Sequence, residues 1–279
     1  IKSTFPMFVQ TEQKYGSLIV GMLARKRQQV KHQTKAIAKR KPFSLFMTLK
    51  DGLDEMVKNL VEKSNNVIFR VATKVTDLSL NKGNWNISLD GGTSISAEAV
   101  ILATPAKISA RLLEQIAPQV ASLLEKIRYV STATVSIGYK KEGFPHSLDG
   151  FGFLIPRTEG KRILACTWTS SKFPDRVPEG YVMLRCFLGG AMREELAEMD
   201  ESVISTMVRE ELLDLMGISC EPVFLKVFQY KKSNVQYHVG HATLIDSIRG
   251  ELKKLPGIFV TGSAYTGIGI PDCIRDGTE

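Results

Sequence analysis

Gly262, Gly267 and Gly269 crowd the stretch GSAYTGIGIPDCI, which follows the apolar run Gly257–Thr261, and Pro271 stands where a first helical residue belongs. A strand, a glycine turn and a helix start together present free backbone N–H groups, a place for a phosphate or another polar group of a cofactor. Other residues that could do chemistry are sparse. His238 and His241 flank a turn into a helix with no carboxylate or cysteine at ligand spacing, so each reads as structural. Cys166, Cys186, Cys220 and Cys273 lack metal-ligand spacing and read as buried free thiols of a reducing cytoplasm. Arg176, in FPDRVPEG, offers a cation to an anionic substrate, although a solvated loop charge is the commoner fate of such a residue. No nucleophile stands beside a base, so no catalytic side chain is assigned and no metal is expected.

The elements that must position these residues follow from periodicity. Glu12–Leu23 sets Tyr15, Leu18, Ile19, Met22 and Leu23 on one helical face. TLKDGLDEMVKNLVEK sets Leu53, Met56, Val57, Leu60 and Val61 at helical spacing and ends at Ser64-Asn65-Asn66. VIFR, KVTDLSL, WNISLD and AVILAT then read as strands divided by glycine and asparagine turns, the last apolar enough for a buried parallel strand. It stops at Thr104-Pro105, where an ordinary proline turn is the favoured reading and a ligand at the carboxyl end of a sheet the alternative. Strands are predicted at Val130–Tyr139, Gly152–Pro156, Ile163–Trp168, Tyr181–Leu188 and Val223–Tyr230, with one helix over Arg193–Met216. A helix over His241–Leu252 leads into GIFVTG and returns the chain to its first layer.

The 279 residues carry a net charge of +8, and much of the excess sits in Arg25–Lys41. That run has almost no aromatics between its charges, which argues against a nucleic-acid partner and leaves a solvated face or peripheral contact with an anionic membrane surface. No apolar stretch approaches a membrane span and Ile1–Met7 is not a secretory signal, so a cytoplasmic protein is expected. The chain does not begin with Met and its last helix has hardly begun, as in a piece of a longer protein.

In order, FPMFVQTEQKYGSLIVGM, TLKDGLDEMV, AVILATPA, GFGFLIP, FPDRVPEG, QYHVGH and TGSAYTGIGIPDCI closely resemble the later part of the FAD-dependent protoporphyrinogen and coproporphyrinogen oxidase family. The likeness runs over nearly the whole chain; YGSLI, GFGFLIP and QYHVGH are more selective than the glycine turn, which wider flavin amine oxidases share. The resemblance implies that the final turn completes a flavin site begun elsewhere by a strand-GxGxxG-helix, a motif that these residues do not contain. The isolated chain is therefore expected to hold FAD weakly and to be inactive.

By the same resemblance Val75, Tyr230, Ile268, Gly269 and Ile270 match cofactor-binding positions, and Leu154, Thr167 and Phe187 match the walls of a tetrapyrrole pocket. Core packing is the alternative for Val75 and for Leu154, Thr167 and Phe187. Tyr230 stands where bacterial relatives often carry Trp, and Val235 replaces a proline. The implied reaction moves hydride from a porphyrinogen carbon to flavin and then electrons to O2, repeated until the macrocycle is aromatic, as a step of haem synthesis. A polyamine oxidase or carotenoid desaturase, or a porphyrin-binding relative without turnover, shares the less selective motifs. The fold class implied is α/β and α+β: an incomplete Rossmann-like FAD-binding lobe from 43–106 and 244–279, a mixed β-sheet substrate-binding lobe with helices over 107–243, and a helical segment over 1–42 on the substrate side.

Overall fold

The computed structural model describes residues 6–24 and 48–278. The basic run Arg25–Lys41 lies outside the described residues. Two compact units are formed, one by Phe69–Arg128 and 235–278 with the helices of 6–24, the other by 48–68 and Tyr129–Asn234.

In the first unit, α1 (Pro6–Tyr15) and α2 (18–24) replace the single helix expected over Glu12–Leu23. Gly16 at φ 70° takes the left-handed conformation, which ends a right-handed helix. A meander of β1 (Val75–Asn81), β2 (Asn84–Leu89) and β3 (Ser94–Ala97) follows, antiparallel throughout. Its first turn places Lys82 and Gly83 both at positive φ, the twist that matches a two-residue hairpin. Fully buried Trp85 donates from Nε1 to the carbonyl of Pro256 at 2.9 Å, tying the meander to the return strand. β4 (Val100–Leu102) pairs in parallel with β10 (Ile258–Val260), Ile101 opposite Phe259, as the AVILAT and GIFVTG runs predict. Between them in sequence, α4 (Ala106–Leu113) and α5 (Pro118–Glu125) bury Leu112, Leu113 and Leu124, and α5 packs on α9 (His241–Leu252).

The second unit opens with α3 (Asp54–Lys63), whose expected apolar face forms but is not buried: Leu53, Val57, Leu60 and Val61 are all exposed. Its sheet orders β6 (Gly152–Leu154), β7 (Ala165–Trp168), β8 (Tyr181–Gly189), β5 (Arg128–Lys140) and β9 (Phe224–Gln236). The pairings β6–β7, β7–β8 and β8–β5 are antiparallel, where a mixed sheet was expected. Bonds from the N–H of Val223 to the Gly138 carbonyl and from the N–H of Lys232 to Ser131 Oγ show β9 running antiparallel to β5 as well. One face of this sheet carries Val135, Ile137, Leu184, Cys186 and Leu188 into a core with Ile204, Val208 and Leu212 of α8 (Glu201–Met216). Cys166 and Cys186 lie opposite one another in that core as buried free thiols, while Cys220 and Cys273 are half-buried.

Three further expectations are corrected. The helix over Arg193–Met216 is two, α7 (Glu194–Ala197) and α8, because Asp200 adopts an extended conformation. The break is stabilised by Gln229, whose Nε2 donates to the carbonyls of Ala197 and Met199, both at 2.8 Å. VIFR, Val67–Arg70, is not a strand: no neighbouring strand among the described residues supplies the ladder that an extended run needs, and Ile68 is 85% exposed. The boundaries also move, since 48–68 groups with the five-stranded sheet rather than with β1–β4, and 107–128 groups with the first unit because α5 seats on α9.

Candidate functional site

Two places collect the residues singled out in the sequence. In the first unit, β10 delivers the chain into the glycine turn, and α10 (Ile270–Asp276) carries it out again with Pro271 in its first turn. The turn is held from within by Asp276, whose side chain is 1% exposed. Its Oδ1 accepts from Arg249 Nη2 and Thr266 Oγ1, each at 2.7 Å, and its Oδ2 accepts from Thr261 Oγ1 at 2.8 Å and the N–H of Gly262 at 3.2 Å. Both ends of the turn are thus hung on one carboxylate, as burying an ionised group requires.

From the other side the QYHVGH motif grips the same turn. The rings of Tyr237 and His241 stack at 3.9 Å between centroids; Tyr237 donates to the carbonyl of Ser263 at 2.8 Å and His241 Nε2 lies 3.1 Å from the carbonyl of Tyr265. Burial lowers the pKa of His241 and pushes the Tyr237 phenol up to about 12, so both stay neutral near pH 7. His241 is therefore a fixed donor, in line with its structural reading.

The glycines of the turn have separate reasons. A Cβ on Gly267 would lie 2.5 Å from Cβ of Asp272, so the fold itself excludes a side chain there. Gly269, at φ −76° and ψ 147°, has an ordinary extended backbone, and a Cβ would approach Asp272 Oδ2 to 3.0 Å. On either side of it Ile268 and Ile270 are 67% and 43% exposed. An apolar edge over a rigid, hydrogen-bonded turn fits one side of a flat ring. No glycine motif for a pyrophosphate accompanies it in the sequence. Val75 opens β1 in the same unit, half-buried at a bulge where it pairs with Leu89.

In the second unit, alternation along the strands turns a second set of residues to the side of the sheet away from α8. Register makes Leu154, Ala165, Phe187 and Thr134 cross-strand neighbours in one row, and Gly152, Thr167, Arg185 and Ser136 neighbours in the next. On β9, Val227 is buried in the core and Gln229 bonds towards α7, so Phe224, Lys226, Phe228 and Tyr230 take the outward side. Leu154, Thr167, Phe187 and Tyr230, separated by up to 76 positions in sequence, therefore share a face, on which Leu154 is 84% exposed. Arg176 is not on it: its Nη2 donates to Thr48 Oγ1 at 2.9 Å and the Leu49 carbonyl at 2.8 Å, bracing the start of α3. At Thr104-Pro105 the chain turns into α4, with Thr104 Oγ1 2.8 Å from Ser109 Oγ.

Arg185, Asp276 and Tyr237 were not found from the sequence. For Arg185 a signal exists, since it stands two residues before Phe187 in a strand of strict alternation; for Asp276 there is none, because its partners come from three separated segments.

These features, a hydrogen-bonded glycine turn and an aromatic-lined antiparallel sheet, have a family. The chain belongs to the flavin containing amine oxidoreductases, whose family model matches residues 1–279. It is 36% identical over 278 residues to the coproporphyrinogen III oxidase of Bacillus subtilis, covering 99% of this chain and 58% of that protein. The Staphylococcus aureus coproporphyrinogen III oxidase is 30% identical over 280 residues, with 59% of its length covered. Among solved structures, a protein from Exiguobacterium sp. 255-15 assigned as a protoporphyrinogen oxidase superposes with TM-score 0.80 at 29% identity, over 99% of this chain and 56% of that one. The chain thus spans rather more than half the length of these three relatives. Among the described residues no helix is long and apolar enough to cross a membrane.

Proposed function

We propose that this chain forms the later part of an FAD-dependent porphyrinogen oxidase of haem synthesis, which converts coproporphyrinogen III or protoporphyrinogen IX to the porphyrin with O2 as the final acceptor. The observation that supports it most is the register of the five-stranded sheet, which sets Leu154, Thr167, Phe187 and Tyr230 on one outward face, with Leu154 and Tyr230 exposed. The flavin, when bound, supplies the hydride acceptor and hands the electron pair on to O2. The residues of this chain stack and exclude water: Leu154 and Phe187 give apolar wall to a macrocycle face, and Thr167 gives a smaller, more polar one. Tyr230 is assigned to contact with the flavin. Ile268, Gly269 and Ile270 are assigned to the underside of the ring, and Val75 to the adenine side, a backbone contact.

The test uses the whole protein. Coproporphyrinogen III supplied in air should be converted to fluorescent coproporphyrin III, and a purified protein that oxidises only amines or carotenoids refutes the reading. Gly269→Val should lower flavin retention by one to two decades, an overpacking cost of about 1–3 kcal/mol at a close contact. Phe187→Ala should slow porphyrinogen turnover while flavin absorbance per protein stays constant. The 279-residue chain alone, which has no dinucleotide-binding glycine motif, is expected to retain little flavin.

A further inference from the structure

The five strands of the second unit contain no Asp or Glu, yet they carry several Arg and Lys. Two of these cations lie on the outward face, Arg185 at the centre of β8 and Lys226 near the start of the edge strand β9. Arg185 is the cross-strand neighbour of Thr167 on one side and Ser136 on the other, exposed, with Nε 3.3 Å from Ser136 Oγ. Lys226 lies on the stretch of β9 that runs beside Ser136, on the same side of the sheet and likewise exposed. Neither pairs with a carboxylate among the described residues. Other cations of this unit do find acids: Arg162 meets Glu210 and Glu211, Lys161 meets Asp214, and Lys232 meets Glu194. Arg185 and Lys226 are thus among the cations without an internal acid, and Arg185 stands in the row beside the one formed by Leu154, Ala165 and Phe187.

A guanidinium held by one weak neutral bond and bordered by apolar side chains keeps most of its fork free for an external acid. We propose that Arg185, with Lys226 beside it, is the anchor for carboxylate groups of the substrate and favours a macrocycle that carries more of them. The inference rests on the reading of this face as the porphyrinogen site and adds to it the chemical feature that the site selects. Coproporphyrinogen, with four propionates, can present a carboxylate here whichever way the ring is turned, while a macrocycle with two acids on one edge can do so in fewer orientations. A point charge on Lys226 adds attraction, and the Arg185 fork fixes the angle.

The experiment measures binding of the oxidised products to the full-length protein by porphyrin fluorescence. Arg185→Gln should weaken coproporphyrin III about tenfold. It should leave coproporphyrin III tetramethyl ester, which has the same ring and no acid, within about twofold. Flavin absorbance per protein should stay at the unsubstituted level. Arg185→Lys should recover part of the loss, and added salt should erase the difference between the two ligands. Equal weakening of acid and ester, or none of the acid, overturns the anchor. Leu154→Ser, at an exposed position where folding is not at stake, separates the two levels of the argument. If it weakens both ligands while Arg185→Gln weakens neither, the face is the site and Arg185 is no anchor. If neither substitution affects either ligand, the face is not the porphyrin site, and the anchor fails with it.

Discussion

Gly152→Ala should unseat the edge of the five-stranded sheet. Gly152 sits at φ 130°, a conformation that L side chains rarely adopt, and a Cβ there would come within 2.1 Å of the Cys166 carbonyl oxygen and 2.8 Å of Thr167 Cα. These are backbone atoms of the paired strand, so no rotamer relieves the clash; β6 must separate from β7. Backbone strain and overpacking each cost roughly 1–3 kcal/mol, and together about 3 kcal/mol or more is expected. In thermal melts that corresponds to a fall on the order of 10 °C for the unit. Hydrogen exchange should localise the loss to 152–168, and binding of coproporphyrin to the full-length protein should fall because Leu154 rides on β6. An unchanged melting temperature with unchanged exchange would mean that the Gly152–Thr167 register is wrong. The glycine in GFGFLIP is, on this account, what lets Leu154 reach the outward face.

Asp276→Asn is expected to loosen the glycine turn more than its small change in shape suggests. The carboxylate accepts four bonds, two at each oxygen. Asn replaces one oxygen by a donor, and either orientation sets that donor against a group that can only donate: the Gly262 N–H on one side, Arg249 on the other. The hydroxyls of Thr261 and Thr266 can rotate to accept; the other two cannot adapt. Allowing for the partial exposure of Arg249, a loss of about 3 kcal/mol is expected, measured by denaturant unfolding of the full-length protein. Flavin affinity should fall with it. Adding Arg249→Leu to Asp276→Asn removes one of the two conflicts, so the double variant should regain part of both stability and flavin affinity. A double variant no better than Asp276→Asn would show that the carboxylate is not organising the turn through these donors.

The local pieces of this protein were legible in its residues for simple reasons. Alternation in YVMLRCFLG reflects the face that β8 buries, and the 3.6-residue stripe of DEMVKNLVEK sets the helical period of α3 although that stripe stays exposed. The pairing of AVILAT with GIFVTG was also expected from their apolar runs, and they meet in parallel register, with Ile101 and Phe259 exposed. VIFR was equally apolar and yet is no strand, because a strand exists only where a neighbour accepts its bonds.

By itself the sequence determined the family resemblance, the approximate positions of most strands and helices, and the glycine turn between β10 and α10, since these depend on spacing within one segment. Which residues act together was decided only by tertiary structure. Arg185 becomes a neighbour of Thr167 and Ser136 through hydrogen-bond register, and a one-residue slip would send it into the core. Asp276 gathers donors from Arg249, Thr261, Gly262 and Thr266 because burying its charge without them would cost too much, and no pattern along a single chain encodes such a convergence. Gly267 and Gly269, alike in sequence, differ for the same reason: the Asp272 side chain folds back against the first far more closely than against the second.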